Sequence, residues 1–388
     1  MNYKKLNVFI DFGSSKVRLG VFSKESPKNV IILEKECTSN FNQKKFDISN
    51  SKEAIKNLIK SAEKRIDKHI NSINLMIDTP DMFSIDISIK KNIDVKKNIQ
   101  NDIISLLQET KNIIQKNYFN KKIIHMIVKK YICDDKVFYE IPDKQSDYKI
   151  LILEIKFICF SKQIWENLQN SFNENYLTIE NIYCSSYVRS VNYNKSFENY
   201  NKKVIIDIGY TKSAIVIFEE KRVLYFNIVP VGGRHITNDI SLLLKISPEN
   251  AETLKKNLNK SETIFLDKYL KNEEIETPEL ANQIIFARVD EIIKLNLKNE
   301  YFNEFFNKND HCALIFIGEG SNILNKNSIY LEEKFDFFNE ISFFEENSSL
   351  ICESGFNFNR SYNFQEVSFS PKKQKNKGFF EKIFHFFN

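Results

Sequence analysis

Two stretches of the sequence share a short arrangement of residues that is suited to binding a polyphosphate. The first reads VFIDFGSSKVRLGVF from Val8, and the second reads VIIDIGYTKSAIVIF from Val204. In each, an apolar strand ends in Asp-x-Gly, a short polar turn carries a lysine, and a second apolar strand follows. The backbone N–H groups of such a turn form a site for phosphate oxygens, and the lysine adds positive charge. Asp11 and Asp207 lie at the strand ends, where they are placed to hold water around a Mg²⁺ ion.

A single Asp-x-Gly sequence is more typical of a tight turn between strands than of a ligand site. The pair gains weight from a third turn, in which the apolar strand ALIFI runs into GEGSNI over residues 313–323. The glycines on either side of Glu319 predict the start of a helix beside a flat ligand such as adenine, with Ser321 and Asn322 as capping residues. Three ordered glycine turns at strand ends therefore predict a nucleotide site.

Hydrophobic periodicity predicts the elements that carry these turns, and together they make an α/β chain. Strands are predicted over 6–12, 17–23, 73–80, 123–135, 149–160 and 312–323, and helices over 51–67, 99–116, 161–173 and within 247–306.

The bulk composition is that of a globular protein with more than one lobe. The chain has 388 residues, 42% of them hydrophobic, and its 56 basic and 51 acidic residues leave a net charge of only +5. A concentrated basic face is missing, so we predict no nucleic-acid binding. The six cysteines show no C-x-x-C spacing, and the five histidines do not cluster, so we predict no metal centre and no catalytic triad. No run of about 18 apolar residues occurs, which predicts an intracellular protein that does not span a membrane.

The order of the motifs resembles that of the actin-like ATPases, and most closely that of the bacterial cell-division family FtsA. D-x-G-S-S-K, D-I-G, V-G-G-x-x-I-T-x-D-I, A-E-x-L-K and G-x-G follow one another along the chain. The most specific part is VPVGGRHITNDISLLLKISPENAETLKK over residues 229–256, and IIHMIVKKYICDD is similar to a family strand marked by His125 and Tyr131. The resemblance covers about residues 5–325 and the C-terminal tip.

The resemblance implies an α/β, actin-like fold of two lobes related by duplication, with an FtsA-type small subdomain inserted in the first lobe. It implies a first lobe core at 1–80 and 171–203, an inserted subdomain at 81–170, a second lobe core at 204–238 and 307–360, a helical subdomain at 239–306, a flexible linker at 361–377 and a membrane-targeting helix at 378–388.

The resemblance also implies that ATP binds with Mg²⁺ between the lobes. It assigns the phosphates to Asp11, Gly13, Ser14, Ser15, Lys16, Asp207, Gly209, Tyr210, Thr211 and Lys212, and the nucleoside to Gly232, Gly233, Glu252, Lys255, Gly318, Glu319, Gly320 and Ser321. Where relatives read D-[IM]-G-G-G-T-T, Tyr210 and Thr211 replace two glycines and add bulk at the phosphates. We therefore predict ATP binding with at most slow hydrolysis, and we assign no catalytic residue.

The last residues, KGFFEKIFHFFN, predict a short amphipathic helix. At helical spacing its apolar side chains fall within an arc of about 160°; they are Phe379, Phe380, Ile383, Phe384, Phe386 and Phe387. The surrounding lysines favour an anionic membrane surface, and the segment is too short to span it. The alternative is a helix that docks its phenylalanines on the protein's own surface.

The resulting hypothesis is an FtsA-like division protein at the cytoplasmic face of the cell membrane. It would self-associate into filaments, tether FtsZ filaments through residues of about 240–305, and meet other division proteins at the division site. One alternative is a small-molecule kinase of the same superfold, although the catalytic Asp in a glycine-rich sugar-binding segment is not found here. A pilus-assembly or cell-shape relative is the other alternative, because the fold alone does not decide function.

Overall fold

The computed structural model describes the residues that form two compact units. These residues are 6–23, 29–36, 41–42, 45–46, 49–93, 98–142, 148–260, 278–297, 311–324, 338–360 and 366–367. Those of the first unit fall within Met1–Asn192, Arg222–Leu224 and Ser348–Asn388, and those of the second within Tyr193–Lys221 and Tyr225–Asn347.

The first unit is built on a mixed sheet of five strands. Its strands and helices, numbered along the whole chain, are β1 (Leu6–Phe12), β2 (Lys16–Ser23), β3 (Asn29–Glu36), α1 (Ser49–Ile66), β6 (Ser72–Ile77), β11 (Thr178–Cys184), α4 (Ser185–Asn194) and α8 (Ser348–Arg360), with a two-stranded hairpin of β4 (Phe41–Asn42) and β5 (Lys45–Phe46). The strand order is β11-β6-β1-β2-β3, with β1 antiparallel to β2 and parallel to β6. Successive buried positions, Val8–Phe12 on β1 and Val17–Phe22 on β2, make these two strands the centre of the unit's core.

Helix α8 packs on this first sheet, which differs from the prediction that residues 307–360 belong to the second lobe. The ring of Phe356 stacks on Phe22 at 4.7 Å between centroids and meets Phe9 edge-on at 6.2 Å. The backbone of Gly355 comes so close that an added Cβ would stand 2.4 Å from the Met76 sulfur. Apolar burial therefore places a late helix with the first strands, and no local pattern in the sequence indicates this partner.

A second sheet is inserted between β6 and β11. It contains β7 (Phe83–Asn92), α2 (Ile99–Asn117), β8 (Lys121–Cys133), β9 (Lys136–Phe138), β10 (Ile150–Ser161) and α3 (Lys162–Asn173). The antiparallel strand order is β7-β10-β8-β9, and α2 closes an apolar cluster with β8 and β10. The helix, two strands and helix predicted for this region are present, and β7 adds an edge strand that the prediction lacked.

The second unit repeats the mixed topology of the first. Its elements are β12 (Lys202–Ile208), β13 (Ser213–Glu219), β14 (Arg222–Val229), α5 (Gly233–Leu243), α6 (Pro248–Lys260), α7 (Pro278–Leu297), β15 (Cys312–Ile317) and β16 (Glu340–Phe343), with 3₁₀ turns at Lys195–Phe197 and Glu319–Ile323. The strand order is β14-β13-β12-β15-β16. As in the first unit, a central strand has its hairpin partner on one side and two successive parallel strands on the other.

The two hairpins also agree in register. Asp11 faces Arg18 across β1 and β2, and Asp207 faces Ala214 across β12 and β13, in each case one pair away from the turn. The repeated sequence motif thus corresponds to a repeated element of structure.

Candidate functional site

The second Asp-x-Gly turn lies between β12 and β13 and is held by backbone hydrogen bonds. The N–H of Gly209 donates to the carbonyl of Lys212 at 2.9 Å, which closes the turn. The carbonyls of Gly209 and Tyr210 in turn accept from the N–H groups of Gly233 and Arg234, at 2.9 and 2.6 Å. Because these N–H groups belong to the first turn of α5, the turn satisfies donors that a helix otherwise leaves open.

The close contact between this turn and α5 requires a glycine at position 232. A Cβ there would stand 2.5 Å from the carbonyl oxygen of Gly209 and 2.7 Å from the nitrogen of Lys212. At Gly233, by contrast, the nearest atom to an added Cβ is the Lys255 Nζ at 3.6 Å. In the V-G-G motif, therefore, Gly232 has no room for a side chain, whereas Gly233 has room for one.

The third glycine turn approaches the same strand end from β15. Gly318 has a φ of +89°, and an added Cβ would stand 2.3 Å from Asp207 Oδ1. Gly320 lies against the carbonyl of Ile208 in the same way, at 2.7 Å. The structure therefore brings the predicted residues Asp207, Gly209, Gly318 and Gly320 together at the end of β12.

The helix predicted after Gly318 is a short 3₁₀ turn, with Gly318 itself at its N-cap position. Ser321, predicted as a cap, instead lies inside the turn, where its hydroxyl donates to the Gly318 carbonyl at 2.7 Å. The N–H of Gly318 donates to the buried carboxylate of Glu346 at 2.9 Å. Glu346 was not predicted, because it lies 28 residues downstream in a segment without a motif. Glu319 is exposed.

Lys255 and Glu252, predicted to reach the nucleoside, form a buried polar cluster between α5 and α6. The Lys255 ammonium donates to the Gly233 carbonyl at 3.0 Å, to the Thr237 hydroxyl at 2.7 Å and to Glu252 at 2.6 Å. It also lies 5.7 Å from the centre of the Tyr210 ring. A lysine has three N–H donors, and these three acceptors use them all. Thr237 completes the cluster and lies within the V-G-G-x-x-I-T motif.

This cluster shifts the pKa values of its charged members. Burial lowers the pKa of Lys255, with Glu252 opposing the shift. Burial works to raise the pKa of Glu252, but the charge and hydrogen bonds of Lys255 and Thr237 outweigh it, so that the pKa falls below its usual value. Burial, and then the charge of Glu252, raise the pKa of Tyr210. Glu252 is thus an anion at neutral pH.

The first Asp-x-Gly turn, in the other unit, has a different electrostatic setting. The buried carboxylate of Asp11 accepts from the Arg18 guanidinium at 2.9 Å and from the Ser185 hydroxyl at 2.7 Å. Lys16 lies 3.9 Å from Glu34, and the turn itself consists of Gly13, Ser14 and Ser15. Arg18 was not predicted, although its place opposite Asp11 follows from hairpin register.

These contacts bear on whether the predicted cofactors fit. Because the Arg18 guanidinium already forms an ion pair with its carboxylate, Asp11 does not fit the role of holding water around Mg²⁺. In the part of the chain that the structure describes, no group of three or more His, Cys, Asp and Glu side chains is placed to hold a metal ion. The Thr211 hydroxyl, in contrast, is buried in the second turn without a hydrogen-bond partner, which fits a ligand that brings its own polar atoms.

The predicted membrane-binding residues cannot be placed. Phe379, Phe380, Ile383, Phe384, Phe386 and Phe387 lie outside the described residues, as do parts of the predicted helical subdomain and linker. Of the helices that the structure does describe, none has both the length and the apolar character needed to cross a membrane.

Comparison with known proteins bears out the resemblance to FtsA. A family profile described as "Cell division protein FtsA" matches residues 204–336, the segment that contains the second hairpin and both later glycine turns. The cell division protein FtsA of Bacillus subtilis (strain 168) is 27% identical over 212 residues, or 51% of this chain and 47% of that protein. FtsA of Streptococcus pneumoniae serotype 2 is 24% identical over 266 residues, or 64% of this chain and 56% of that protein. The chain thus matches about half the length of these curated relatives.

A solved structure is similar over a larger part of the chain. A chain of a "PilM-PilN type IV pilus biogenesis complex" superposes with a TM-score of 0.62 and 10% sequence identity. The superposed region covers 89% of this chain and 89% of that one. At this identity the likeness concerns the fold alone. It agrees with the actin-like topology expected from the motifs.

Proposed function

We propose, from the premise that the chain is a homologue of FtsA with the actin-like ATPase fold, that it binds ATP and links the division machinery to the membrane. The observation that carries the nucleotide part is that three glycine segments meet at the end of β12: Gly209, Gly232–Gly233 and Gly318–Gly320. Glycines that bring backbone this close together at a strand end, next to a helix N-terminus, are typical of nucleotide sites in α/β folds.

In this proposal the phosphates lie against the two Asp-x-Gly turns. Lys16 and Lys212 supply charge, and the Thr211 hydroxyl gains an acceptor or donor from the ligand. Asp207 is the carboxylate that would hold Mg²⁺ through water, since Asp11 is occupied by Arg18. The nucleoside lies nearer Gly232, Gly233, Gly318 and Gly320. Lys255 and Glu252 support that pocket by joining α5 to α6, and they do not need to touch the ligand themselves.

Turnover is proposed to be slow. Tyr210 and Thr211 stand where relatives have glycine, and the Tyr210 carbonyl accepts a hydrogen bond from the backbone N–H of Arg234 at the start of α5. A turn that is bulky and tied in this way has less freedom to rearrange around a γ-phosphate. Phosphate release on the order of 10 per second, typical of a metabolic enzyme, would contradict this proposal.

ATP binding is tested by titration calorimetry on the full chain. We expect Lys16→Ala to weaken ATP binding about tenfold, the effect of losing one charged contact to phosphate. Lys35→Ala is the matched control, because it removes the same charge from an exposed position on β3. Equal affinity of both variants and the unchanged protein would show that the first turn does not bind the phosphates.

The remaining part of the proposal concerns partners. As an FtsA homologue, the chain would form filaments with itself, bind FtsZ through the region of about 240–305, and attach to an anionic membrane through residues 378–388. The inserted sheet of β7 to β10 would then be the FtsA-type subdomain. Two neighbouring leucines on α5, Leu242 and Leu243, are 75% and 63% exposed and give the FtsZ-binding region an apolar contact.

The partner proposal is tested with purified FtsZ and the full chain. Leu242→Arg together with Leu243→Arg should abolish co-sedimentation with FtsZ filaments. Val137→Arg changes an apolar position in the other unit that is 48% exposed, and it should leave co-sedimentation unchanged. Co-sedimentation that survives the leucine changes would exclude this surface. Sedimentation of the chain with ATP and lipid tests filament formation, and a monomer at high concentration would count against it.

A further inference from the structure

A short segment beyond α8 pairs with the inserted sheet. Glu366 forms an antiparallel bridge with Ile127 of β8, and the N–H of Val367 donates to the Met126 carbonyl at 2.8 Å. On the same side of β8, strand β9 pairs only with Tyr131–Cys133. The segment thus pairs, through one bridge and one further backbone hydrogen bond, with a part of the edge that β9 does not cover. The sequence had predicted a flexible linker over 361–377, and Glu366 and Val367 depart from that prediction.

The carboxylate of Glu366 is held by two side chains from different elements. His125 on β8 contacts one carboxylate oxygen at 2.8 Å through Nδ1, and the Tyr187 hydroxyl on α4 donates to the other at 3.0 Å. The second ring nitrogen of His125 accepts the backbone N–H of Cys184 at 2.9 Å. Because a backbone N–H can only donate, the neutral ring carries its proton on Nδ1 and donates it to Glu366.

This pocket is internal to the first unit. His125 and Tyr187 are both fully buried, and their rings meet edge-on at 4.6 Å. The Glu366 side chain is 13% exposed. Burial, followed by the charge of Glu366, raises the pKa of the Tyr187 hydroxyl, so that it stays a donor at neutral pH.

The next residue uses the opposite face of the strand. Val367 is 1% exposed and belongs to the apolar cluster that α2, β8 and β10 form. Successive residues of a strand point to opposite faces, so one acidic and one apolar residue in sequence fit the two sides of the β8 edge. Backbone pairing supplies the affinity in such strand addition, and the side-chain pockets supply the specificity.

We propose that the edge of β8 at Met126 and Ile127 is a strand-acceptor site that binds the chain's own Glu366–Val367 segment. His125 and Tyr187 recognise the acid, and the cluster beneath α2 recognises the valine. The site fixes the start of the C-terminal segment on the inserted subdomain.

The docking has a consequence that rests on the proposed membrane attachment. If residues 378–388 bind a membrane, the stretch between the body of the protein and that helix is 368–377 in the docked state and 361–377 in the undocked state. Fully extended, these stretches reach about 35 and about 60 Å. Docking would therefore hold the body nearer the membrane, and a strand that competes for β8 would lengthen the tether.

Hydrogen–deuterium exchange on the full chain tests the docking without nucleotide, lipid or FtsZ. The Val367 amide should be protected in the unchanged protein. Glu366→Ala, which leaves His125 and Tyr187 without their acceptor, and Val367→Asp, which places a charge in the apolar cluster, should each speed its exchange about tenfold or more. Glu140→Ala removes an exposed carboxylate from the same subdomain and should change nothing. Exchange of the Val367 amide at the rate of an unstructured peptide in the unchanged protein would overturn the proposal.

A second experiment tests the acceptor directly. A labelled peptide of residues 361–371 should bind the full chain that carries both Glu366→Ala and Val367→Asp. The peptide is added at concentrations up to about 1 mM, because a short tether gives the chain's own segment an effective concentration of that order. It should not bind the unchanged protein, whose site is occupied. Failure to bind the double variant overturns the proposal. Because neither experiment involves nucleotide, lipid or FtsZ, failure of the proposed division function would leave both results as they are.

Discussion

Lys255 shows how the chemistry of a residue depends on its neighbours. The resemblance to FtsA implies that it reaches the nucleoside, but its ammonium is buried and donates hydrogen bonds to the Gly233 carbonyl, Thr237 and Glu252. A lysine in this setting stabilises the packing of α6 on the start of α5. Its effect on a nucleotide would be indirect, through the position of that helix start.

We predict that Lys255→Met lowers the free energy of unfolding by about 1–3 kcal/mol, since it leaves Glu252 and two further acceptors without their buried donor. Lys256→Met is the matched control, because Lys256 also contacts Glu252 but its side chain is 65% exposed. Its effect should stay below about 1 kcal/mol. Urea unfolding curves measure both changes, and equal effects would contradict the structural role.

Glu252 gives the same cluster a pH dependence. Its pKa lies below the usual 4.5 because Lys255 and Thr237 outweigh the effect of burial. The unfolded chain therefore takes up the proton first as pH falls, and the contribution of Glu252 is present above about pH 4.5 and is lost as the pH drops through the lower folded value. When the pH is lowered from 6 to 3, the stability of the Glu252→Gln protein should accordingly fall by less than that of the unchanged protein. Thermal unfolding at each pH measures both changes. Parallel pH profiles would exclude this contribution.

At the scale of elements, the start of α5 contains two adjacent glycines with opposite requirements. Gly232→Ala should destabilise the protein by about 1–3 kcal/mol, because its Cβ would overlap the Gly209 carbonyl. Gly233→Ala should be neutral or should stabilise by up to about 1 kcal/mol, because the site has room and alanine favours a helix. The same unfolding measurement separates them. A Gly232→Ala protein as stable as the Gly233→Ala protein would show that the turn does not pack on α5 as closely as described.

The elements were predicted well wherever their pattern is local. The hairpin strands, α1, α2, α3, β8 and β10 appear within a few residues of their predicted bounds, because apolar spacing and turn residues specify them. Helix α1 begins at Ser49 rather than at Ser51, where the predicted helix starts, and Ser51 is buried inside it. Strand β7 was missed although Phe83, Ile85, Ile87 and Ile89 alternate along it.

For the molecule as a whole, the proposed membrane attachment depends on residues 378–388. Phe384→Glu places a charge on the predicted apolar face of residues 378–388, while His385→Glu places the same charge on the polar face. We expect flotation with anionic vesicles to be lost for Phe384→Glu and largely kept for His385→Glu, since binding scales with buried apolar area. Deletion of 378–388 should abolish flotation and leave ATP binding unchanged. Equal flotation of both variants would contradict an amphipathic helix.

The repeated hairpins, the order of the glycine turns and the resemblance to FtsA all follow from the sequence alone. These features are local in the chain: a strand, a glycine and a turn are each specified by a few neighbouring residues and their spacing. The predicted residues that meet at the end of β12, from Asp207 and Gly209 to Gly318 and Gly320, could be assigned for this reason before any distance was known.

The partners of those residues depend on the folded structure. The packing of the sheets and helices determines these pairings. Examples are the contacts of Arg18 with Asp11, of Thr237 with Lys255 and of Glu346 with Gly318. The same holds for α8, which completes the first core from a position more than 300 residues away from β1, and for Glu366, which reaches His125 across 241 residues. Burial of apolar surface and pairing of buried charges select these contacts, and both depend on the folded environment of a residue rather than on its neighbours in sequence.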